Sequence, residues 1–419
     1  MEDNVIISGI GAITPLGIGA ASFANNLKIG QSNFSKISLE QSNASYQYII
    51  GMAPDFDFKT EVKKLDLPEE VLKKALRLRH LSKSVLFGTY CALESLVDAG
   101  LVEKVMNSSK VAIVSAGSNT QQSNLHKIQE KYREKVTFIN PNYAINFFDT
   151  DIVGVLSELL QIKGEGYSIG SASASGNMAI IHGKRLISYQ SHDIVIVVAP
   201  LMDLSIFEYQ GFINIGAMKA IDETLAPNNA YRPFDEKHSG FIYGQCAGCI
   251  VLESSEHASD RKKKGYGILS GYGVVMDGNR GAKPSKKGEA EAMRMAIYNS
   301  GLKAAHIDYV NTHGTGSVIG DTTEVEAMLD VGLQDVKANS TKSLTGHGLS
   351  AAGVIEAIAC LIQLNHGFIH KSNNLSNPIN NEINWIKEKS SGLNINTVLS
   401  NSFGFGGINT SLILKKLKN

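Results

Sequence analysis

Ile6-Ile7-Ser8-Gly9-Ile10-Gly11-Ala12, near the start of a 419-residue chain, is echoed by Ile268-Leu269-Ser270-Gly271-Tyr272-Gly273-Val274. Each copy joins an aliphatic run to a G-x-G step, which reads as a buried strand followed by a tight turn. An echo at that distance predicts two duplicated α/β halves, residues 1–255 and 256–419. The junction, Glu253–Lys264, is polar and ends in Arg261-Lys262-Lys263-Lys264. Working outward, the strand signature recurs at Val111–Ser115, Asp193–Val198 and Tyr309-Val310-Asn311, each running into small or polar residues. Helical patterns such as Ser82–Ala99 and Glu289–Ser300 lie between them. The alternation predicts an α/β layered fold.

Composition narrows the function classes. With 43% hydrophobic residues the chain has enough apolar mass for two or more core units. Lys plus Arg equals Asp plus Glu at 40 each, so no global basic field invites nucleic acid, although a local basic patch is compatible with an acidic protein partner. Four cysteines are too few for a disulfide framework and point to a reducing cytoplasm. The first residues, MEDNVIISGIGAIT, lack the positive charge of a signal peptide. No apolar run approaches the roughly 18 residues needed to span a bilayer, so no membrane association is expected.

Several motifs have bland readings that win. Gly9-Ile10-Gly11-Ala12-Ile13-Thr14 lacks the third glycine of a dinucleotide fingerprint and reads as the turn after the first strand. Cys246-Ala247-Gly248-Cys249 has redox spacing, but Ile250-Val251-Leu252 continues it as a strand where a redox motif needs a helix. His366 and His370 have no third ligand beside them, so no metal is expected. Three segments are richer. Ser168–Gly176 is a run of small residues leading into a helical pattern, whose N-terminus favours negative charge. His313 and His347 sit among glycines, serines and threonines, in Thr312–Ser317 and Ser340–His347, where a merely packed histidine is the weaker reading.

Taken in order, these segments resemble the β-ketoacyl-acyl carrier protein synthases of the thiolase superfamily, particularly the type II elongating enzymes. Val5–Gly17 resembles the opening strand and its turn, and Arg232-Pro233-Phe234-Asp235 with Gly240–Glu253 resembles R-P-F-D…G-F-x-x-G-E-G-A-G. His313-Gly314-Thr315-Gly316-Ser317 with Gly320-Asp321 and Glu324, and Lys342–His347, resemble the two histidine motifs. Asn401–Asn409 is similar to the C-terminal gating loop. The resemblance runs nearly end to end. It implies a thiolase-like fold of two α/β halves layered αβαβα, a homodimer, an acyl carrier protein as partner, and no cofactor beyond the phosphopantetheine arm carrying the substrate.

The chain departs from the family where condensation occurs. Family members read A-C-x-S-G; here the order is Ala172-Ser173-Ala174-Ser175-Gly176. Ser173 therefore takes the nucleophile position, and a helix dipole alone does not ionise a hydroxyl as it does a thiol. Gln245-Cys246 also replaces the usual Glu-Gly, with no functional account. By the resemblance His313 and His347 hold the enolate formed when malonyl loses carbon dioxide, while Lys342 and Glu324 pair nearby and order them. Thr315 and Ser317 bind the pantetheine arm, and Phe403 and Gly404 belong to the gate. Lys73, Lys74, Arg77, Arg79, Lys83 and Lys219 are the candidate carrier-docking residues. Retained histidines with a lost cysteine resemble the ketosynthase-like decarboxylases of polyketide β-branching cassettes, which supply acetyl-carrier protein to further enzymes. Three rivals stay open at this level: a non-catalytic chain-length-factor partner, a synthase whose cysteine was exchanged by design, and a serine-acylating enzyme with a base near Ser173.

Overall fold

The aliphatic runs become strands β1 (Val5–Thr14), β2 (Val111–Ala116), β3 (Gly166–Ile169), β4 (Ile194–Ala199) and β5 (Ala247–Ser254), then β6 (Gly267–Met276), β7 (Tyr309–Asn311), β8 (Lys337–Asn339), β9 (Thr397–Gly404) and β10 (Ile408–Lys415). The computed structural model describes residues 5–42, 44–190, 192–261 and 264–417. All ten strands share one sheet, in the order β8-β7-β9-β10-β6-β1-β5-β4-β2-β3. From the middle outward each half therefore runs first, fifth, fourth, second, third. The strand senses also match. β1–β5 and β5–β4 are antiparallel, while β4–β2 and β2–β3 are parallel. In the second half β6–β10 and β10–β9 are antiparallel, while β9–β7 and β7–β8 are parallel. Two copies of one α/β unit meet where Val5 pairs with Leu269.

The G-x-G echo has a physical cause that differs from the expected turn. β1 continues, with a register shift between Ile7 and Gly9, through Gly9 and Gly11 to Thr14, and the chain turns only at Pro15-Leu16. Helix α1 (Lys83–Ala99) crosses this strand so closely that a Cβ on Gly9 would stand 2.2 Å from the Ser95 carbonyl oxygen, and one on Gly11 2.2 Å from that of Cys91. In the second half a Cβ on Gly271 or Gly273 would meet the carbonyls of Ala296 and Ala292, at 2.5 and 2.0 Å. Those carbonyls belong to α3 (Lys286–Asn299). The glycines admit an outer helix in both halves.

Two further helices, α2 (Ser175–Gln190) and α5 (Ala352–His366), touch strands of both halves and so form the middle layer. With α1 outside the first half, and α3 and α4 (Val318–Val331) outside the second, the layers run αβαβα. The expectation that no segment has the length and apolarity of a membrane span is corrected here. Leu349–His366 meets both criteria, yet nearly all of it is buried between the two halves as a core helix. Cys246 and Cys249 lie buried at and within β5, and burial pushes the Cys249 thiol up to about 12, which suits packing and not redox chemistry.

Candidate active site

The site forms where the two central helices begin. The Ala172–Ala174 turn enters α2, and Leu349–Ala351 enters α5. Gly176 and Gly353, each the second residue of its helix, allow the two N-termini to touch: a Cβ on Gly176 would lie 2.6 Å from the Val354 nitrogen. Ser173 thereby meets the loop that carries His347, while β7 ends just before His313. Two helix N-termini aimed at one pocket favour negative charge there.

Ser173 Oγ lies 2.9 Å from His347 Nε2. The His347 backbone N–H is held by the Ile242 carbonyl at 2.8 Å, and its ring meets Phe241 edge-on, with centroids 5.2 Å apart. The His313 and His347 rings stand 5.6 Å apart, nearly perpendicular. Hydrogen bonds assign both tautomers. The Leu349 N–H donates to His347 Nδ1 at 3.3 Å, so the His347 proton resides on Nε2. An ammonium only donates, and Lys342 Nζ lies 3.3 Å from His313 Nδ1, which again leaves the proton on Nε2. Burial and then the Lys342 charge push His313 and His347 well below the usual imidazole range. Both are neutral donors.

Lys342 is fully buried, and its partner differs from the expected Glu324. Its ammonium donates to the Glu356 carboxylate and, at 2.6 Å, to the His313 carbonyl oxygen. Glu324 instead accepts the N–H groups of His313 and Gly314 at 2.7 and 2.8 Å, and the Asn401 amide at 3.0 Å. It grips the backbone of the first histidine loop while Lys342 fixes the ring. Burial raises the Glu324 carboxyl to about 7.

A cavity of about 140 Å³ joins Ser173, His313 and His347 to Thr315 and Ser317, which hydrogen-bond one another at 3.0 Å. Its walls include Met202, Phe212, Phe241, Leu349 and Phe403. Phe403 is buried, 5.5 Å from the His313 ring. Most of the segment read as a gating loop is strand: β9 ends at Gly404, β10 begins at Ile408, and only Phe405-Gly406-Gly407 turns between them. Gly404 presses on the Ser173 turn, since a Cβ there would stand 2.5 Å from the Ser171 carbonyl oxygen.

Comparison with known proteins agrees with this geometry. The model of the β-ketoacyl synthase N-terminal domain matches residues 2–258, and that of the C-terminal domain matches residues 266–376. The chain belongs to the β-ketoacyl synthase family. It is 36% identical over 417 residues to the polyketide biosynthesis malonyl-ACP decarboxylase PksF of Bacillus subtilis (strain 168), covering 99% of this chain and 97% of that protein. It is 30% identical to 3-oxoacyl-(acyl-carrier-protein) synthase 2 of Vibrio harveyi, over 99% of both chains. Among solved structures, the ishigamide ketosynthase/chain length factor superposes with a TM-score of 0.87 over 100% of both chains at 23% identity, a likeness of fold.

In this β-ketoacyl synthase family member the docking residues read from sequence do not form one uniform patch. Lys73 and Lys74 are committed to Glu69 and Glu70, at 2.5 and 2.7 Å, on the helix Glu69–Arg77. Arg77 and Arg79 are exposed. Lys83 is exposed, and its ammonium donates to Gln245 Oε1 at 3.1 Å and lies over the Phe87 ring. That bond also gives Gln245 a structural role. Lys219 donates to Ser239 at 2.6 Å.

Two carboxylates escaped the sequence reading. Glu356 interrupts the apolar run Ala352–Leu364, and an acid in a buried helix signals a buried cation. Glu289, in the first turn of α3, lines the cavity and is almost fully buried, with Oε2 lacking any partner among the described residues. Burial, followed by the charges of Glu324, Asp277 and Asp321, pushes its carboxyl well above the usual range, which favours the protonated form.

Proposed function

We propose that the protein decarboxylates malonyl groups carried on an acyl carrier protein, giving acetyl-carrier protein. The observation that carries this reading is the pair of neutral Nε2–H donors of His313 and His347 beside a serine hydroxyl. Loss of carbon dioxide from a malonyl thioester leaves an enolate whose charge gathers on the thioester oxygen. Two preorganised donors and two helix N-termini stabilise that charge as it develops. The apolar walls favour turning a carboxylate into neutral carbon dioxide. Thr315 and Ser317 line the same cavity, which supports their binding the pantetheine arm in this reading.

The tautomers speak against a serine-acylating enzyme. A general base for Ser173 needs a free lone pair on His347 Nε2, but that nitrogen carries the proton. Likeness to PksF supports the decarboxylase reading and, with it, a role in supplying acetyl units for polyketide β-branching. Self-association as a homodimer is supported by the exposed edge strand β3. Asp149, whose carbonyl accepts from Ser168 of that strand, follows a segment exposing Val136, Phe138, Ile145, Phe147 and Phe148. The cysteines of the described chain are all buried and unpaired, in keeping with a reducing cytoplasm.

The test is to incubate the protein with malonyl-carrier protein and follow the carried group by mass spectrometry. Loss of carbon dioxide with no acyl adduct on Ser173 is expected. A ketoacyl product, or an acylated Ser173, overturns the reading.

A further inference from the structure

We propose that Ser173 is the acid that protonates the acetyl enolate on carbon, so that the residue in the nucleophile position finishes the reaction. The proposal rests on the decarboxylase reading of the same site. Decarboxylation alone yields a carbanion equivalent, and acetyl forms only when Cα receives a proton. Each neutral imidazole has a single N–H, which serves as a hydrogen-bond donor to oxygen, and neither ring holds a second proton to give up.

Ser173 supplies what is missing. His347 Nε2–H points at Ser173 Oγ across 2.9 Å, so Oγ is the acceptor of that bond and its own hydrogen is directed elsewhere. In the decarboxylase reading the thioester oxygen accepts from the same N–H, and Cα is bonded to the carbonyl carbon. A hydroxyl sharing that donor is thereby held beside the thioester, on the side from which Cα can be reached. The turn that presents it is firmly held. Ser402 Oγ donates to the Ser173 carbonyl at 2.9 Å, Ser175 Oγ donates to the Ala172 carbonyl at 2.6 Å, and Gly404 packs against the turn. Ala172 is kept at a φ of 47°, an uncommon conformation for a residue with a side chain.

The atoms balance as follows. The bond between Cα and the carboxylate carbon breaks, releasing carbon dioxide and leaving its electron pair on Cα and the thioester oxygen. The Ser173 O–H bond then breaks, its proton joins Cα to complete the methyl group, and its electron pair remains on Oγ. His347 Nε2–H and the α2 N-terminus stabilise that oxygen at this moment. A water molecule returns a proton to Oγ, and the hydroxide left behind adds to carbon dioxide as bicarbonate.

The experiment measures how long the enolate survives. Wild type and Ser173→Ala are given malonyl-carrier protein with 13C-labelled carbon dioxide, maintained by bicarbonate and carbonic anhydrase. Label entering malonyl-carrier protein is then compared with acetyl-carrier protein formed. An enolate that waits for its proton recaptures carbon dioxide. Ser173→Ala should raise the ratio of exchange to acetyl formation by at least about tenfold, and slow acetyl formation by up to about 10², the low end for a lost general acid. An unchanged ratio overturns the proposal, even if acetyl formation slows, because the serine would then act on bond cleavage. Absence of acetyl formation by the wild type defeats the decarboxylase reading itself.

Discussion

Gly176 and Gly353 bring the N-termini of the two central helices together with no side chain between them, and this contact joins the two halves of the active site. A Cβ on Gly353 would lie 2.7 Å from both the backbone nitrogen and the side-chain oxygen of Asn177. Gly353→Ala therefore overpacks a rigid backbone contact and should cost about 1–3 kcal/mol in urea unfolding. It should also move His347 away from Ser173 and lower kcat more than it raises KM. Wild-type kcat in a folded Gly353→Ala protein would show that the contact does not set the site geometry.

Lys342 and Glu356 form a buried ion pair behind His313. Glu356→Gln leaves the ammonium without its counter-charge and should destabilise the protein by about 3–5 kcal/mol. The comparison with Glu324→Gln is informative, because Glu324 holds backbone N–H groups and not the lysine. Equal losses in the two variants would contradict the pairing described.

Removing one enolate donor should be costly. His313→Ala and His347→Ala are each expected to lower decarboxylation by about 10²–10³ with an unchanged circular dichroism spectrum. Wild-type rates in both would place the enolate elsewhere.

The titration of buried groups gives opposing pH dependences. His313 and His347 have lowered folded-state pKa values, so the stability they contribute is present above about 6.5 and is lost as the pH falls below it. Glu289 has the reverse sign. Its raised value means that folding favours the protonated acid below the unfolded value of about 4.3, and that this contribution is lost as the pH rises through the folded value. Glu289→Gln removes that dependence. Its Tm should exceed that of the wild type at pH 8, with the gap closing towards pH 4. A gap that does not change with pH would show that Glu289 is not held as a neutral acid.

Carrier recognition should depend unequally on the basic residues. Arg77→Glu with Arg79→Glu should raise KM for malonyl-carrier protein several-fold at low salt and leave a small malonyl thioester unaffected. Lys83→Glu should instead disturb stability, since its ammonium is turned onto Gln245 and Phe87. If reversing Arg77 and Arg79 affects both substrates equally, docking lies elsewhere on the surface.

The sequence by itself determined the alternating strands and helices, the duplicated G-x-G step, and the place of Ser173, His313 and His347 near strand or helix ends. These depend on local periodicity and on short motifs, which are written in consecutive residues. It left three matters to the tertiary structure. Gly9 and Gly271 read as turns because glycine most often breaks a strand, but a crossing helix was the reason for them, and a helix 70–90 residues away in one half leaves no local trace. Leu349–His366 has a membrane-like composition only because both faces of the helix are covered by protein. The partner of Lys342 and the tautomers of both histidines were likewise decided in space. A buried ammonium takes whichever carboxylate the packing brings within reach, and an imidazole proton goes to the nitrogen that its neighbours leave unpaired.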